Sequence, residues 1–172
     1  MDALQRRGAA LLFGTAACAY LLDRVTKWWA ERRLPGRPID VIDGVLTFRF
    51  ATNSGGAFSL GDGVPWIFVG ATVTVSVVIA ATAFRHRRPM VALALGLVLG
   101  GALGNLTDRA LRGPSLGGRV VDFIDLHVWP VFNLADTAIV VGAVLLSVSS
   151  FAGDAAGKRA QGPPEGASSD AA

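Results

Sequence analysis

Cysteine and histidine are almost missing from this chain: Cys18 is its only thiol, and His86 and His127 are its only imidazoles. One cysteine excludes an intrachain disulfide and a thiolate metal cluster. Neither histidine has a second histidine or a cysteine nearby, which argues against a zinc site. Nor can a Ser/His/Asp, Ser/Lys or Cys/His catalytic set be read from the chain. Charge is scarce as well. Of 172 residues 17% are charged and 52% are hydrophobic, and the mean hydropathy is +0.48. That is too apolar for an ordinary soluble domain and suits a small membrane protein. A net charge of +3 and a pI near 9.7 could suit nucleic acid. The basic residues, however, sit in short segments between apolar runs, a topology signal, so nucleic acid is rejected as a partner.

What the chain does have is long uncharged runs. Residues 66–84 and 89–107 contain no charge, and 130–151 is interrupted only by Asp136. The run 8–22 is shorter. Continued as a helix to Trp29 it reaches about 33 Å at about 1.5 Å per residue, enough to cross a bilayer. Four spans are therefore predicted, at about 8–29, 66–84, 89–107 and 130–151. Arg6 and Arg7, then Arg85 to Arg88, then Lys158 and Arg159 all fall on one side of these spans, which marks that side and both termini as cytoplasmic. Trp28, Trp29, Trp66 and Trp129 fall at the opposite boundary, like half an aromatic belt. Basic start, apolar run and Cys18 outline a lipoprotein leader, but Thr15 and the apolar stretch continuing to Leu22 speak against it. On the outer side, Leu46, Phe48 and Phe50 alternate with Thr47 and Arg49, and the NSGG at 53–56 supplies turn residues; a hairpin is predicted within about 38–60. Gly96, Gly100 and Gly104 recur every four residues and give the third span a face for close helix packing. Residues 1–151 form one domain in this reading, and 152–172, small, polar and Pro/Gly-rich, a disordered cytoplasmic tail.

Polar residues crowd the outer boundary: Asp23 and Lys27, Asn53, Asn105, Asp108 and Arg109, Asp122 and Asp125, then Asn133 and Asp136. Ionisable groups at membrane depth are costly and mark function more often than not. Some have a plain structural use. Asp23 and Lys27, at i,i+4, suit an ion pair, Asp108 beside Arg109 suits another, and Asp136 suits the first turn of a helix. Asp122, in an apolar RVVDFID, offers Asp136 a partner. Two carboxylates in a poorly hydrated site share a proton and can act on a water as base and acid. The competing use is ion coupling in a small transporter or channel subunit, which calls for acids nearer the bilayer midplane.

Five motifs then carry a resemblance. DRVTK at 23–27, NSGGAF at 53–58, GGALGNLTDR at 100–109, VVDF at 120–123 and FNLAD at 132–136 occur in order within a four-span frame. The chain resembles the bacterial lipoprotein signal peptidases (signal peptidase II) over about 8–151. The resemblance implies an aspartic endopeptidase of the inner membrane. Such an enzyme removes the signal peptide from prolipoproteins just before a cysteine that carries diacylglycerol. It implies a mainly α fold of four transmembrane helices with a small β-cradle on the periplasmic side, where the active site lies. Asp122 and Asp136 would be catalytic. Asn53, Asn105, Arg109 and Asn133 would line the site, with Asp108, Asp23 and Lys27 supporting it. It also implies no metal or organic cofactor, membrane lipid as surroundings, and inhibition by globomycin. VVDF selects Asp122 over the nearby Asp125. The segment 109–120 is longer than the family pattern.

Overall fold

The computed structural model describes residues 2–54, 65–86 and 88–160. Helix α1 spans Ala3–Arg33. Asp2 starts it with a capping box, accepting from Gln5 N at 2.8 Å while its own N–H donates to the Gln5 side chain at 2.9 Å. It outlasts the predicted span at both ends. Two strands follow, β1 (Ile39–Ile42) and β2 (Leu46–Asn53), then α2 (Pro65–Thr82), α3 (Pro89–Leu111), β3 (Val120–Asp125) and α4 (Leu134–Ala160). Among the described residues three helical stretches are long and apolar enough to cross a membrane, Ala3–Arg33, Pro89–Leu111 and Leu134–Phe151; a shorter apolar stretch, Val69–Arg85, starts in α2 and runs on through the turn after it.

The sheet differs from the predicted hairpin. β1 and β2 do form one, but it turns at Asp43–Gly44, where Gly44 has φ +69°, and not at NSGG. β2 then pairs antiparallel with β3, far along the chain, so the sheet order is β1-β2-β3. A register shift between Phe48 and Ala51 breaks the alternation read from the sequence. Phe48 packs inward while Phe50 stays exposed. Residues 55–64, which carry the rest of NSGG, lie outside the described residues.

The fourth predicted span also starts later than Pro130. Phe132 pairs with Ile124 of β3, which keeps the chain extended as far as Asn133. Asn133 then caps α4: its Oδ1 accepts from Asp136 N at 2.9 Å, and Asp136 Oδ2 accepts from Asn133 N at 3.4 Å. At the other end α4 runs on to Ala160, past the predicted start of the tail; residues 161–172 lie outside the described ones.

α3 is the central helix, packing on α1 and on α4. The predicted glycine face is what lets α1 close in: a Cβ on Gly100 would stand 2.5 Å from the carbonyl oxygen of Ala16. The sheet is fixed to the C-terminal end of α1 by a ring cluster. Trp29 meets Phe48 and Phe123 at centroid distances of 5.7 and 6.2 Å, with Ala30 and Leu34 buried beneath. Trp29 is thus a packing residue, whereas Trp28, Trp66 and Trp129 are exposed as belt residues would be.

Candidate active site

Asp122 and Asp136 arrive by different routes. Asp122 sits mid-strand in β3, opposite Ala51 of β2, in a strand buried along most of its length. Asp136 occupies the first turn of α4. Two asparagines join them. Asn133 Nδ2 donates to Asp122 Oδ1 at 2.6 Å and to Asn105 Oδ1 at 3.2 Å. Asn105 Nδ2 donates to Asp136 Oδ1 at 2.8 Å. Asn53, at the end of β2, hydrogen-bonds to the Asp122 carboxyl. Arg109 of α3 faces both carboxylates electrostatically and lies 3.5 Å from the carbonyl oxygen of Ser54. Asn53, Asn105, Arg109, Asp122 and Asp136 line one cavity of about 330 Å³, flanked by Trp129 and Phe132. Burial, and then the neighbouring Asp136 charge, push the Asp122 carboxyl up to about 7; the bonds from Asn133 and Asn53 and the charge of Lys27 pull the other way. A larger apolar groove, about 450 Å³ between α1, α2 and α3, brings Phe13, Tyr20, Val77 and Leu103 together and no carboxylate.

The remaining expected residues lie behind this cavity. Lys27 and Asp23 form the predicted i,i+4 ion pair, 2.9 Å apart and wholly buried. Lys27 also reaches Asp108 at 3.0 Å and donates to Asn105 Oδ1 at 2.8 Å. Asp108 and Arg109 are sequence neighbours that part company. Asp108 turns to α1, where it pairs with Lys27 and Arg24 and accepts from Arg112 Nε at 3.2 Å; Arg109 turns to the cavity. Asp125 is excluded from the pair. Odd spacing in a strand puts it on the face opposite Asp122. It is held there by Arg49 and by His127 N at 2.8 Å, and the Arg49 bond keeps its carboxyl below the usual range. Sequence reasoning missed Arg24, Arg49, Arg112 and Glu31, the last paired with Arg112. Only Arg112 left a local signal, at i,i+4 from Asp108.

Paired carboxylates over a cavity at one end of apolar helices are the layout of a membrane-embedded aspartic protease. The sequence pattern of signal peptidase (SPase) II matches residues 15–152. Lipoprotein signal peptidases of Mycolicibacterium smegmatis, Rhodococcus jostii and Mycobacterium avium are 43%, 44% and 43% identical. Those alignments cover 95%, 87% and 89% of this chain and 73%, 75% and 87% of theirs. Among solved structures, one bacterial membrane enzyme determined in meso superposes with a TM-score of 0.71 at 26% identity, over 81% of this chain and 87% of that one. A second gives 0.68 at 26% identity, over 80% and 90%. The chain belongs to the signal peptidase II family, and so to the proteases.

Proposed function

We propose that this chain removes the signal peptide from diacylglyceryl prolipoproteins, cleaving before the lipidated cysteine, with Asp122 and Asp136 as its catalytic pair. The observation that carries the assignment is the unbroken hydrogen-bond chain Asp122–Asn133–Asn105–Asp136 along the wall of one cavity. In the mechanism we infer, the pair shares one proton. One carboxylate takes a proton from water as the water oxygen attacks the carbonyl before the cysteine. The other gives its proton to the departing amine as the C–N bond breaks. Arg109 and Asn53 are in place to orient the substrate backbone, and Asn105 and Asn133 to hold the two carboxylates.

The membrane frame belongs to the same reading: α2 is the fourth span, both termini face the cytoplasm, and the cavity opens at the periplasmic surface of the inner membrane. There the acyl chains of the substrate stay in lipid while water reaches the peptide bond. Globomycin is expected to compete for the cavity. The test is in-gel conversion of a diacylglyceryl prolipoprotein by purified protein. Asp122→Asn and Asp136→Asn should each abolish it, and wild-type conversion by both would end the assignment.

A further inference from the structure

Lys27 has no place in the chemistry, yet it is among the most deeply buried side chains of the molecule, with no exposed surface. Its ammonium lies within 3.0 Å of three oxygens, ion-paired to Asp23 and Asp108 and donating a hydrogen bond to Asn105 Oδ1. Each of these partners reaches onward to a proposed catalytic residue or to the residue just before one. Asp23 Oδ1 accepts from Ala135 N at 3.0 Å, the amide immediately before Asp136. Asp108 Oδ2 accepts from Val121 N at 3.2 Å, the amide immediately before Asp122. Asn105 bonds the Asp136 carboxyl directly and Asn133 besides. Thus Asp23 of α1 grips the start of α4 and Asp108 of α3 grips the β3 segment, one residue ahead of each aspartate, with Lys27 tying the two grips together.

We propose that Lys27, with Asp23 and Asp108 as its two arms, is a positioning clamp that sets the separation of Asp122 and Asp136. The inference rests on the catalytic assignment above and gives the expected supporting residue Lys27 a defined task. Two segments from distant parts of the chain, a strand and a helix start, have no covalent reason to hold two carboxylates at a fixed spacing. A buried ammonium bridging two carboxylates is stiff, because moving either arm leaves a charge unpaired in a dry interior. Gly104 completes the arrangement: a Cβ there would meet the Asp23 carboxylate and come 3.4 Å from Ala135 Cβ, so only glycine leaves the Asp23 arm its place. Lys27 also acts at a distance. Asp122 faces Asp136 of α4, Arg109 of α3 and Lys27 of α1, and the Lys27 charge favours its ionised form.

The experiment measures kcat, KM and the pH profile of kcat for Lys27→Met and Gly104→Ala on a diacylglyceryl prolipoprotein, per folded molecule as scored by thermal unfolding. A misplacement of about 1 Å costs on the order of 10²-fold. Lys27→Met should lose about that in kcat with KM unchanged, and its alkaline limb should move to higher pH. Gly104→Ala, which disturbs the Asp23 arm alone, should lose less kcat, again without a change in KM. If Lys27→Met does not fold, Gly104→Ala decides alone. Wild-type kcat in the folded variants, or a loss confined to KM, overturns the clamp. Asp122→Asn and Asp136→Asn in the same assay separate the two failures: dead aspartate variants beside fully active clamp variants remove the clamp and leave the dyad.

Discussion

Two carboxylate pairs share the sheet-bearing end of this bundle, and they are bridged in opposite ways. Asp23 and Asp108 are joined by an ammonium, Lys27, at 2.9 and 3.0 Å. Asp122 and Asp136 are joined by neutral amides, Asn133 and Asn105. A cation between two anions offsets their repulsion and yields a structural tie. An amide chain fixes geometry but leaves the repulsion standing, so one proton is retained by the pair. On the proposed assignment the same residue type serves scaffold in one pair and chemistry in the other, and the bridging group decides which.

The comparison breaks most visibly if the amide-bridged pair is neutralised. Asp122→Asn should lower cleavage by at least about 10³-fold, the usual scale for losing a general acid–base group; a rate assay on lipidated substrate reads it directly. Next comes pH. The Asp122 carboxyl is raised to about 7, so the proton it holds is present below about 7 and lost above. Cleavage should accordingly fall on the alkaline side of a midpoint near 7, measured as kcat against pH. A smaller change tunes that limb. Asn133→Ala removes a donor that favours ionised Asp122, so the limb should move to higher pH. The lost cap on α4 should cost about 1 kcal/mol of stability as well, read by thermal unfolding.

Much of this site was legible because its signals are local. Uncharged runs gave the helices, i,i+4 spacing gave the Asp23–Lys27 pair, and VVDF and FNLAD marked the two aspartates through the family resemblance. The unread parts are all pairings between distant segments. β3 shows no alternation, since it is covered on both faces, and a strand without a period is mute about its partner. Asp108 looked like the mate of Arg109 because they adjoin in sequence. Its mate is Lys27, brought there by the glycine-lined approach of α1 to α3. Trp29 read as one belt residue among four until the sheet folded onto it.

The smallest expected effect concerns Asp125, three residues from Asp122 and chemically identical to it. Its partner Arg49 is half exposed, with 48% of its side-chain surface accessible. An ion pair so open to solvent contributes about 0–1 kcal/mol. It faces away from the cavity and takes no part in the amide chain. Asp125→Asn should therefore leave kcat and its pH profile as they are and lower the unfolding temperature only slightly. Because the Asp125 carboxyl is held below the usual range, its contribution to stability is present above that range and is lost as pH falls through it and below. The small difference in unfolding temperature between wild type and Asp125→Asn should thus narrow in acid. If instead Asp125→Asn stopped cleavage while Asp122→Asn did not, the strand would be presenting its other face to the substrate, and the contrast between amide-bridged and cation-bridged carboxylates would no longer locate the chemistry.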